Sequence, residues 1–115
     1  MPVTAQRFRA LALALPDASE APHLERVAFR TPQRIYTTIG MDGESANLKL
    51  TPEQQEMLCE TKPKAFAPID NAWGRQGWTI VTLKAVDEKT LKDALSWAHA
   101  LAAVKKKAPS KREKR

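Results

Sequence analysis

The stretch Asn71 to Thr79, Asn-Ala-Trp-Gly-Arg-Gln-Gly-Trp-Thr, constrains this chain more than any other. It gathers two of the three tryptophans, two of the four glycines and an arginine between a proline-broken loop and a strand-like run, Thr79 to Lys84. A segment so composed must turn sharply and then set large rings against something. Gly74 and Gly77 tolerate positive φ at little steric cost, and each indole carries on the order of 200 Å² of buriable surface with an N–H that needs a partner. Two readings follow. Either the aromatics fasten the loop to a core, or the loop presents a binding surface with Arg75 at its tip.

At 115 residues the chain is long enough for one core and one domain. Its hydrophobic fraction of 43% and mean hydropathy of -0.46 suit a soluble globular protein. No apolar run approaches the ~20 residues of a membrane helix, so no membrane partner is expected. Met1 to Leu15 lacks a small-residue cleavage site and is interrupted by Arg7 and Arg9. A single cysteine, Cys59, excludes an internal disulfide and suits a reducing compartment. A cytoplasmic location is expected.

The net charge of +6 is unevenly distributed. From Lys105 onward, Lys105, Lys106, Lys107, Lys111, Arg112, Lys114 and Arg115 face one acid, Glu113, so this segment alone carries +6. Residues 1–104 hold twelve basic and twelve acidic side chains and are formally neutral. The repeated lysines, with Pro109 and no apolar periodicity, have the composition of a disordered basic tail, 105–115, behind a domain spanning 1–104.

Within that domain, Thr4 to Ala14 places Phe8, Leu11, Ala12 and Leu15 at helical spacing, and Pro16 ends the helix. Asp17 to Pro22 is acidic and reads as a turn. Arg26 to Arg30 and Arg34 to Ile39 alternate apolar with polar residues around Thr-Pro-Gln, which predicts a hairpin. Ala46 to Leu50 predicts a third strand. Strict alternation then puts Val27, Phe29, Ile35, Ile39, Leu48 and Leu50 on the core side, and Arg26, Arg30, Arg34, Tyr36 and Lys49 on the other. That second set is basic with one aromatic. Thr51-Pro-Glu-Gln is a capping-box pattern opening a helix to about Glu60, and Lys62 to Phe66 allows a further helical turn. After the tryptophan loop comes the strand at Thr79, and Asp87 caps a last helix with Leu91, Ala94, Leu95, Ala98, Leu101 and Ala102 as its apolar stripe and Trp97 at the margin. The predicted order is α-β-β-β-α-β-α, an α+β fold.

Catalytic ingredients are scarce. His23 and His99 are the only histidines, and neither has partners at zinc-like spacing, so no metal is expected. Cys59 follows Met57 and Leu58 in a helix, where a free cysteine behaves as a small buried hydrophobe. No glycine-rich phosphate-binding pattern occurs, and neither an enzymatic role nor a cofactor is expected. Binding remains. Arg26, Arg30, Arg34, Tyr36 and Lys49 form a face that can contact phosphates, or that pairs with the domain's acids and solvates the sheet. The tail can bind polyanions by counterion release, or serve as a solubilising extension.

Leu-Ala-Leu-Ala-Leu-Pro-Asp, then Glu-Ala-Pro-His at 20 to 23, Ala-Phe-Arg at 28 to 30, Leu-Lys-Leu-Thr-Pro-Glu at 48 to 53 and Trp-Gly-Arg-Gln-Gly-Trp-Thr at 73 to 79 occur in register. Together they resemble the MmcQ/YjbR family across roughly Phe8 to Leu101. The resemblance implies a two-layer α+β domain with an antiparallel sheet covered by helices on one face, similar to the secretion-chaperone-like fold. It also implies DNA binding through a double-wing arrangement of strands and loops, and no enzymatic activity. The positions matching its basic and aromatic elements are His23, Arg30, Lys49, Trp73, Arg75 and Trp78. Gly-Trp-Thr at 77 to 79 stands where many relatives have Trp-Asn, so no role for an asparagine carries over.

The leading expectation is a cytoplasmic, non-enzymatic DNA-binding protein with little sequence preference. It would contact phosphates through the sheet face, the tryptophan loop with Arg75, and the tail at Lys105, Lys106, Lys107, Lys111 and Arg112. The rival is a protein-interaction adaptor that uses the sheet face or aromatic loop, with the tail incidental. A pocket beneath the loop, with Trp78 against His23 or Arg75, is a third arrangement. Either a monomer or a homodimer through a strand edge or sheet face is compatible with the sequence.

Overall fold

Thr51 Oγ1 accepts from Gln54 N at 3.1 Å while Gln54 Oε1 accepts from Thr51 N at 3.0 Å. This reciprocal capping box, with Pro52 in the first turn, starts a helix where the sequence predicts one. Thr4 caps the first helix by accepting from Arg7 N, and Asp87 caps the last by accepting from Thr90 N.

The computed structural model describes residues 3–23 and 26–103. In chain order the elements are α1 (Ala5–Leu13), β1 (Ser19–His23), β2 (Arg26–Arg30), β3 (Ile35–Gly40), β4 (Ser45–Lys49), α2 (Pro52–Thr61), β5 (Phe66–Pro68), α3 (Ala72–Arg75), β6 (Trp78–Thr82) and α4 (Glu88–Ala103). The strands form one antiparallel sheet in the order β1-β2-β3-β4-β6-β5. The α+β architecture agrees with the predicted one.

Helix α4 lies on β3 and β4, α1 packs beside it and α2 packs on β5. The stripe Leu91, Ala94, Leu95, Ala98 and Ala102 is buried and shares one core with Phe29, Ile39, Ala46, Leu48 and Val81 from the sheet. Phe8 of α1 meets Phe29 edge-on, with ring centroids 5.7 Å apart.

Three elements depart from the predicted order. Ser19–His23 is a strand rather than a turn, and β5 and α3 are additional. Both new strands lie at sheet edges, and each carries a proline: Pro22 opposite Val27, and Pro68 opposite Thr79. Proline is tolerated at an edge because one side of the strand needs no partner, and its missing N–H discourages a further strand from adding there. Turn-like composition therefore concealed two edge strands.

The larger correction concerns β3. Phe29 pairs with Thr37 but Arg30 pairs with Ile35, so Tyr36 is an extra residue, a bulge, within the ladder. The insertion breaks the alternation at that point. Tyr36, expected on the basic face, is 0% exposed in the core, and its hydroxyl donates to Ala12 O at 2.7 Å. His99 meets the same ring edge-on, with centroids 5.3 Å apart. Ile35, expected in the core, instead lines the face that the helices leave open. Tyr36 is thus no candidate for a phosphate contact.

Burial pushes the Tyr36 phenol up to about 12. Because this lies above the unfolded value of about 10, the stability tied to the neutral phenol is intact below pH ~10 and is lost as pH climbs through the folded value. Tyr36 is the only tyrosine, so tyrosinate absorbance during an alkaline titration reads this side chain alone. It is expected to ionise late and together with unfolding. Tyr36→Phe should lower stability by about 1 kcal/mol in urea denaturation; an unchanged midpoint would show that the hydroxyl bond contributes nothing.

Candidate functional site

The open side of the sheet is shaped by the segment from Ile69 to Trp78. Asn71 Oδ1 accepts from Trp73 N at 2.8 Å and Gly74 N at 3.4 Å, which caps the single turn of α3. Gln55 of α2 donates from Nε2 to both Gly74 O and Trp78 O at 3.0 Å. Leu50 N donates to Gly77 O at 3.0 Å, and Lys49 Nζ donates to Gln76 O at 2.8 Å. The loop is therefore tied to β4, α2 and β6.

The two glycines are required for different reasons. Gly77 has φ +109, and a Cβ there would lie 1.8 Å from Leu50 O. Gly74 is helical rather than left-handed, yet a Cβ on it would sit 1.7 Å from Ile69 O. Of the two, only Gly77 adopts the positive φ that both tolerate. At Gly74 the constraint is the close approach of another backbone.

This frame separates the two indoles. Trp78 is half-buried in β6, while Trp73 is 58% exposed. One ring fastens the loop and the other is presented to solvent. Between them runs a groove of about 480 Å³, with Ile35, Ile69, Trp73 and Trp78 as apolar walls and Arg26, Thr38, Asn47 and Asn71 as polar ones. Arg26 is held in place by donating from Nε to Thr38 Oγ1 at 2.8 Å and from Nη2 to Thr38 O at 3.4 Å. Among the described residues, the side-chain amide of Asn47 makes no hydrogen bond.

The cations of this face make no ion pair within the described residues. Among the described residues the ion pairs are Arg7 with Glu88, Arg9 with Glu20, Lys62 with Asp87 and Lys89 with Asp93. None involves Arg26, Arg30, Arg34 or Lys49. Arg30 instead donates to Thr31 O at 3.1 Å. Burial lowers the Lys49 ammonium below its ordinary value, and the neighbouring positive charge of Arg34 lowers it further.

The remaining candidates are scattered. Arg75 is exposed and lines an adjoining hollow, with Gln55, Pro68, Asp70 and Gly74, that shares Ile69 and Asn71 with the groove. His23 lies in β1, separated from β6 by β2, β3 and β4, so it is not beside Trp78. Lys105, Lys106, Lys107, Lys111 and Arg112 lie outside the described residues. The groove also contains residues that periodicity did not select: Ile35, displaced by the bulge; Ile69, hidden between Pro68 and Asp70; and Asn47, the middle residue of the polar series Ser45, Asn47 and Lys49 in β4. Asn47 carried a signal, since Leu48 and Ala46 face the core and their intervening residue must face away.

A family model described as YjbR matches residues 13–101. The match contains all six strands, α2, α3 and most of α4, and stops short of the basic tail. No curated protein matches the chain. Among solved structures, the chain is similar to protein DR2400 of Deinococcus radiodurans, which carries the domain DUF419. The TM-score is 0.75 at 26% identity, covering 90% of this chain and 80% of that one. It also shares its fold with a Pseudomonas syringae protein at TM-score 0.66 and 18% identity, covering 84% and 97% of the two chains.

Gly77→Ala should test how firmly the loop is held. A methyl group against Leu50 O at an unfavourable φ is expected to cost about 2–4 kcal/mol. Urea denaturation followed by tryptophan fluorescence reads this directly, and a loss below about 0.5 kcal/mol would mean that the loop relaxes freely.

Proposed function

The chain belongs to the YjbR family, and we propose that it is a non-enzymatic DNA-binding protein acting through its open sheet face and the Trp73 to Trp78 loop. The observation that carries this reading is a group of four cations without ion pairs on one face. Arg26, Arg30, Arg34 and Lys49 have no carboxylate partner among the described residues, while the ion pairs lie elsewhere. Arginine and lysine donors satisfy phosphate oxygens, and such contacts position a nucleic acid without reading its sequence. Phosphate contacts carry no base identity, so little sequence preference is expected. Lys105, Lys106, Lys107, Lys111 and Arg112 add non-specific affinity through counterion release. Arg75, in the adjoining hollow, makes a peripheral contact.

Among the described residues no helix is long and apolar enough to cross a membrane. The proposed setting is the cytoplasm. A second reading, a protein-interaction adaptor, is favoured by one observation: Trp73 is 58% exposed beside an apolar groove, a feature typical of contact surfaces.

The two readings separate in a salt series with fluorescent duplex DNA, using the full chain and a chain ending at Val104 that keeps all described residues. The DNA reading predicts that the shorter chain still binds, with a salt slope equivalent to about three phosphate contacts. Arg34→Ala combined with Lys49→Ala should weaken that binding roughly tenfold. If binding disappears with the tail, the affinity belongs to the tail and the adaptor reading takes over.

A further inference from the structure

The cations account for phosphates, but they leave the groove beside them without a use. Its walls are Ile35, Ile69, Trp73 and Trp78, and apolar surface gains nothing from a phosphate oxygen. A duplex also keeps its base faces stacked inside and offers none to such walls. An unstacked base fits better: it has a flat apolar face and a polar edge, and it is covalently attached to the phosphates that the neighbouring cations require.

We infer that the groove between Trp73 and Asn47 accepts one unstacked base of a single-stranded nucleic acid, with the exposed Trp73 indole as the stacking surface and Arg34 and Lys49 holding the adjoining phosphate. This inference rests on the nucleic-acid reading above. Its volume of about 480 Å³ lies within the range of about 300–1,000 Å³ for small-ligand sites, so it suits a single nucleotide. Asn47 contributes an amide whose donors and acceptor have no partner among the described residues, and amides recognise base edges with both. Arg26, fixed by its two bonds to Thr38, keeps further N–H donors at the same wall. The ammonium of Lys49 loses hydration through burial and faces Arg34, a strain that an anion would relieve. Because Arg30 extends the positive surface beyond the groove, a strand with several phosphates satisfies the face better than a free nucleotide does.

The test uses the full chain carrying Trp97→Phe, so that Trp73 and Trp78 are the only emitting indoles. Fluorescence is followed with an oligothymidylate of about ten nucleotides, a blunt duplex of the same length and thymidine monophosphate, at moderate salt to limit binding by the tail. The expected result is quenching by the single strand, with affinity at least about tenfold above that for the duplex. Trp73→Ala, at an exposed position that should not disturb folding, should remove most of that preference for the single strand over the duplex. Equal binding of both forms, with no effect of Trp73→Ala, would overturn the inference and leave the phosphate-binding reading intact. Loss of both forms on truncation at Val104 would overturn both. Quenching by the monophosphate as strong as that by the oligomer would reassign the groove to free nucleotides.

Discussion

The placement of Tyr36 determines the character of both faces of the sheet. One extra residue in β3 turns this ring into the core, where its hydroxyl meets Ala12 O at 2.7 Å and its edge meets His99. A buried phenol needs that acceptor, since an unpaired hydroxyl in an apolar core costs more than the bond gains. The bond fixes α1 to the sheet and the stacking fixes α4. The same insertion sends Ile35 to the opposite side, where it becomes a wall of the groove. A strictly alternating strand would have left a tyrosine on the open face and an isoleucine in the core.

Much of the fold is legible in the sequence because its signals are local. The Thr51 capping box, the Asp87 cap and the apolar stripe of α4 each depend on residues within a few positions of one another. The β2 to β3 hairpin is legible for the same reason. The bulge is not local: whether residue 36 points in or out is decided by the distant carbonyl of Ala12. The edge strands are also hidden, because Pro22 and Pro68 carry the signature of turns and become strands only beside β2 and β6. Half of the groove follows the same rule. Trp73 and Trp78 stand out by composition, whereas Ile69 joins them only because the close approach at Gly74 folds its segment back.

Charge follows a similar course. Counting residues makes the domain neutral, which weakens any argument from net charge alone. Placement adds to that count: the ion-paired acids Glu20, Asp87, Glu88 and Asp93 pair with Arg9, Lys62, Arg7 and Lys89, whereas Arg26, Arg30, Arg34 and Lys49 of the open face have no ion pair among the described residues. Electrostatic recognition depends on this local field rather than on the total. With prolines in both edge strands, the open face and its exposed indole are the surfaces best suited to receive a partner.

The most direct measurement is a residue-by-residue map of backbone amide shifts in the full chain as a short single-stranded oligonucleotide is added. The largest changes are expected on Ile35, Thr38, Asn47, Lys49 and the segment from Ile69 to Trp78. Changes confined to residues beyond Val104, or to the helical layer of α1 and α4, would contradict this expectation.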